Sequence, residues 1–133
     1  MAAGINILVN DGGAPCRIMK LGNAGADLDA GTIVEFAAAG NIVAAAEDLP
    51  SYLNRHCGVL FVDATSGDPA SVITGRGAVV FLKAASASIA RGDKLGHDAA
   101  GLAKTATSAD ERMAIALEAK SATHTGFVKA LLL

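Results

Sequence analysis

The sequence has no tryptophan, one tyrosine and four phenylalanines, so aromatics make up only 4% of its 133 residues. A thick aromatic core is therefore excluded. It has two cysteines, Cys16 and Cys57, forty-one positions apart and outside any Cys-x-x-Cys spacing. Both read as small buried hydrophobes of a reducing compartment. A disulfide between them would need Cα atoms within about 7 Å, which spacing alone leaves open. Charged residues are 18% and the net charge is −2, without the clustered Lys and Arg that phosphate binding requires. No nucleic-acid partner is expected. No apolar run approaches the roughly 20 residues of a membrane span, so no membrane partner is expected either. The first residues lack both a basic region and a long apolar core, and no cleaved export signal is read there.

The motifs of common catalytic sites are missing too. The three histidines, His56, His97 and His124, show neither His-x-x-x-His nor His-Glu-x-x-His spacing. His56 and Cys57 are adjacent, but neighbours on a strand point to opposite faces, which argues against a shared metal. There is no Gly-x-Ser-x-Gly elbow, no Gly-x-x-x-x-Gly-Lys loop and no Gly-x-Gly-x-x-Gly. Gly75-Arg-Gly77 reads as a turn. Asp63, Asp68, Asp93 and Asp98 stand beside Gly, Pro or Ala, where aspartate caps backbone N–H groups. No cofactor, no metal and no catalytic residue is expected.

What is present is small and repetitive. The chain is 52% hydrophobic, carried by Ala, Val, Ile and Leu, with 15 glycines. Its length suits one domain burying roughly two-thirds of its unfolded surface. Two stretches echo each other, residues 28–45 and residues 89–106. Gly31 and Gly92, like Gly40 and Gly101, are 61 residues apart, so each copy holds two glycines nine residues apart.

Short strands are predicted at 16–21, 32–36, 58–62 and 71–74, then at 78–83, in 89–95, at 113–119 and at 126–132. Ala37 to Ala46 has helical composition, but Gly40-Asn41 at its centre favours a hairpin turn. A single helical turn fits residues 48–55, with Pro50 near its start. The second copy's strand at 113–119 aligns with the first at an offset of 55, and Lys83 falls on Lys20.

These features predict an all-β fold: a small barrel or sandwich of short antiparallel strands, internally duplicated, with little helix. A duplicated barrel with pseudo-twofold symmetry would remove exposed sheet edges. Residues 1–15 form an N-terminal strand or arm and residues 16–133 a single β domain, copy one being 16–77 and copy two 78–133. The expected core is Ile33, Val34, Phe36, Ile42, Val59, Phe61, Val80, Leu82, Leu95, Ile115, Leu117, Val128 and Leu132.

A resemblance extends this reading. Gly58-Val59, Gly77-Ala-Val-Val-Phe-Leu82 and Ile89-Ala-Arg-Gly-Asp-Lys-Leu95 carry it, followed by Asp98-Ala-Ala-Gly-Leu-Ala-Lys-Thr105, Met113-Ala-Ile-Ala-Leu-Glu-Ala119 and the strand from Gly126. Over these roughly 75 residues the chain resembles the capsid decoration or cement proteins of tailed phages. It departs from them at Met113-Ala114, where that family favours Ile-Gly, and its first half matches loosely. The resemblance implies a non-enzymatic virion protein on the outer surface of the capsid. There it would cement neighbouring major capsid protein subunits as a homotrimer, after synthesis in the host cytoplasm. Ile5, Ile7, Leu8 and Val9 are the candidate contacts to the capsid or a neighbouring protomer. The competing readings are another phage structural role, as a tail or baseplate module, and a ligand-binding or enzymatic barrel whose pocket would contain His97, Asp98 or Arg76.

Overall fold

A computed structural model of the chain describes residues 17–46, 56–106, 112–121 and 126–133. The candidate contacts Ile5, Ile7, Leu8 and Val9 and the helical turn expected at 48–55 lie outside the described residues. Within them the chain forms ten strands and no helix. The first five are β1 (Arg17–Asn23), β2 (Ile33–Phe36), β3 (Ile42–Ala44), β4 (His56–Leu60) and β5 (Pro69–Thr74). The second five are β6 (Val79–Ala84), β7 (Lys94–His97), β8 (Ala103–Thr105), β9 (Ala114–Ala116) and β10 (Gly126–Leu132). The first set makes a sheet in the order β1-β5-β4-β2-β3, and the second closes into a barrel in the order β10-β6-β8-β7-β9. The fold is all-β and internally duplicated.

The duplication is visible strand by strand. β2 and β3 lie 61 positions before β7 and β8, with equal lengths. Each pair is a hairpin whose turn glycine, Gly40 or Gly101, has positive φ. Pairing corrects two details of the sequence alignment. Ile33 faces Val59 while Lys94 faces Ile115, so the offset from β4 to β9 is 56 rather than 55. A one-residue slip moves every side chain to the opposite face, so the core fixes this register. Likewise the parallel bridges Ala24–Ile42 and Ala84–Ala103 place Ala24 on Ala84. Counting back puts Asn23 on Lys83, and after the bulge between Lys20 and Gly22, Lys20 on Phe81.

The two copies are filled differently. Val34, Ile42, Leu60 and Val72 are all buried in the first sheet. Their counterparts in the barrel are Leu95, Ala103, Ala116 and Ala130, also buried. A five-stranded barrel is narrow, and three alanines suit the small interior volume it leaves. Phe36, Phe61, Ile115 and Leu117, expected in the core, are only half-buried. Fully buried alanines take much of that interior instead.

The copies dock through one continuous apolar cluster that includes Ile33, Ala45, Val59 and Ile73 of the first sheet with Leu82, Ile89 and Leu95 of the barrel. Backbone bonds cross the junction: Lys83 N–H donates to Gly31 O and Ile33 N–H donates to Gly101 O, both at 2.9 Å. Lys83 also pairs with Asp29. A Cβ on Gly31 would sit 2.9 Å from Phe127 and one on Gly101 only 2.5 Å from Ile33 O, whereas Gly40 and Gly92 face open space. A twofold would bury equivalent glycines alike. The copies are therefore packed head to tail, and the pseudo-twofold expected from the repeat is not the relation between them.

Candidate attachment surface

Four aspartates of the described residues accept from backbone N–H groups, two within their own turn and two across to a distant loop. Asp93 accepts from Ala90 N–H at 2.9 Å and Thr105 Oγ1 at 3.0 Å, and Asp98 from Ala100 and Leu102 N–H at 2.8 and 3.0 Å. Asp63 accepts from Ala30 N–H at 2.9 Å and Asp27 from Ser66 N–H at 2.9 Å. These carboxylates cap backbone, as aspartates in turns commonly do. Asp29 is held below the usual carboxylate range by its hydrogen bond from Lys83, against a smaller opposing effect of burial.

The histidines meet in a way the sequence did not signal. His56 on β4 and the buried His97 on β7 bring their Nε2 atoms to 2.8 Å, with rings nearly perpendicular at 81°. His97 Nδ1 lies 2.7 Å from Asp98 O. A carbonyl only accepts, so Nδ1–H of His97 donates to it; in a neutral His97 ring, Nε2 then accepts from His56. Forty-one residues separate the two, and only the docking of the copies joins them. Cys57 turns the other way: its Sγ lies 3.6 Å from Val34 O, and burial, with Glu35 nearby, pushes the thiol up to about 11. Among the described residues no three His, Cys, Asp or Glu side chains converge on a point.

A cleft of about 190 Å³ opens at the junction, lined mainly by apolar side chains including Val59, Ile73, Met113 and Leu132. Arg76 and His56 reach it; His97 and Asp98 do not line it. Of His97, Asp98 and Arg76, any of which a ligand-binding or enzymatic barrel would place in its pocket, Arg76 lines this cleft and the other two do not.

Beside the cleft runs the first half of β1, exposed at all four residues from Arg17 to Lys20. Ile18 and Met19 are 45% and 41% exposed, whereas Val80, which occupies Met19's place in the barrel, is fully buried. Sequence reasoning passed over these residues. The signal was there: Arg-Ile-Met-Lys puts two apolar residues side by side between two cations, which a half-buried strand with alternating faces would not do.

A family of phage cement proteins matches residues 16–132, which takes in the first copy as well as the second. Comparison with curated protein sequences gives no match. Among solved structures, the fold is similar to the crystal structure of head fiber gp8.5 N base in bacteriophage phi29, with a TM-score of 0.64 and 20% identity, covering 90% of this chain and 93% of that one. That likeness shows a shared fold. The sequence match over nearly the whole chain goes further: this protein belongs to the phage cement protein family.

Proposed function

We propose that the protein is a non-enzymatic structural component of the virion that binds the outer surface of the phage capsid and cements neighbouring major capsid protein subunits. The observation that carries this reading is the family match across residues 16–132. The likeness to a head fibre base supports a place on the head rather than in the tail or baseplate. The chemistry agrees with a role played by surfaces: the aspartates at turns are engaged with backbone, and the paired histidines with each other.

The protein acts as a homotrimer in this reading. Three modest contacts made by one particle act at high effective concentration, so strong attachment does not require any single strong site. Ile5, Ile7, Leu8 and Val9 contribute to contact with the capsid or the neighbouring protomer.

The test is cosedimentation of purified protein with expanded heads that lack it, with the copy number per capsid subunit counted. Saturable binding is expected, with a sedimentation mass of three chains for the free protein. Absence of binding would reject the capsid role, and a monomer mass would reject the trimer. Deleting residues 1–12 is expected to weaken binding or trimerisation; unchanged behaviour in both would remove the N-terminal residues from the interface.

A further inference from the structure

We infer that the open edge of β1 is a strand-docking surface for an acidic, extended segment of a partner protein; the inference rests on the capsid reading only for which protein supplies that segment. The backbone geometry is the first ground. Phe61 N–H donates to Ser71 O, so Ser71 and Ile73 turn their backbone groups toward β4. Their partners across β1, Lys20 and Ile18, therefore point N–H and C=O away from β5. Among the described residues β1 has no second ladder, and the single bridge from Ala24 to Ile42 comes just after its end.

The barrel shows what such an edge does. On β6 one outward N–H of the counterpart edge, that of Lys83 in the place of Asn23, donates to Gly31 O of the first copy at 2.9 Å. Val80 is buried on that strand, and Met19 in its place on β1 is 41% exposed. An unpaired edge carrying exposed apolar side chains is a template for an added strand.

Charge selects the occupant. Arg17 and Lys20 flank Ile18 and Met19, and Arg76 follows Thr74, the partner of Arg17, by two residues. All three cations are exposed, and none is paired with a carboxylate among the described residues. Another copy docking in the same head-to-tail manner would present Arg91 and Lys94 around Gly92, placing like charge on like. An acidic segment with alternating apolar residues meets both the charge and the apolar pair.

The experiment uses the full chain and heads that lack the protein. The double variant Arg17→Glu, Lys20→Glu is expected to bind heads about tenfold or more weakly. Ile18→Pro, which removes only an outward-facing N–H, is expected to lose binding while keeping its unfolding midpoint. Amide exchange at Ile18 and Lys20 is expected to be fast in the free protein and slow on heads. Both variants binding like the wild type, or slow exchange at these amides in the free chain, would overturn the inference. Loss of that protection on deleting residues 1–12 would show the edge to be covered by the chain's own N-terminal residues. If wild-type protein does not bind heads, the capsid reading fails separately. A short alternating Glu-Val peptide then replaces the heads, and failure of that peptide to slow exchange at Ile18 and Lys20 overturns the docking surface itself.

Discussion

Gly31 and Gly101 have positive φ of 87° and 73°, and both press against the other copy. Gly40 and Gly92 have φ of 89° and 91° and touch nothing within 4 Å. Alanine at Gly40 or Gly92 meets only the backbone penalty, about 1 kcal/mol. Gly101→Ala adds a collision with Ile33 O and is expected to cost about 3 kcal/mol or more. Urea unfolding of the four alanine variants checks the contrast, which requires the head-to-tail junction. Asp29 gives a pH signature. Its carboxyl titrates below the ordinary range because Lys83 stabilises the ionised form. Its contribution is therefore full above the unfolded value near pH 4 and is lost as pH falls through the lower folded value. Asp29→Asn should lower the melting temperature at neutral pH and leave it unchanged in strong acid. Cys57, with its thiol near 11, should be alkylated in a Cys16→Ser background on the order of 100-fold more slowly at pH 8 when folded than when unfolded.

At the scale of the strand, the copies share a pattern but not a filling. Ile42 and Ala103 hold equivalent places on β3 and β8, and each is fully buried. Ile42→Ala should cost about 3 kcal/mol through the cavity it leaves. Ala103→Ile, although it installs the residue used by the other copy, should cost about 1–3 kcal/mol by overpacking a closed barrel. Denaturant unfolding of both variants tests this, and a stabilised Ala103→Ile would contradict the account of why alanines fill the barrel. The strands were largely legible in the sequence because glycine spacing and short β-branched runs are local signals. Gly40-Asn41 correctly outweighed the helical composition of its alanines. The alanine-filled interior was not legible, since alanine marks a narrow barrel, a helix or a surface equally well. The His56–His97 contact and the one-residue offset were also out of reach. Both depend on pairing between strands distant in sequence.

At the scale of the whole molecule, head-to-tail docking carries a consequence of its own. Two units joined through unlike faces leave one spare face of each kind, and such a contact can repeat without limit. This chain is in effect a polymer of length two, and its ends are chemically stopped. The apolar contacts of the junction are replaced at the free faces: Lys20 stands where the barrel has the half-buried Phe81, and Lys94 where the first sheet has the buried Ile33. The ion pair is dismantled as well, with Asn23 in the place of Lys83 and Ala90 in the place of Asp29. Restoring the junction chemistry with Lys20→Phe, Asn23→Lys, Ala90→Asp and Lys94→Ile should produce concentration-dependent linear oligomers in sedimentation velocity. The wild type should show no such growth. The lysines at the ends then serve as chain terminators, holding a sequence that could have become a fibre to a single finite particle.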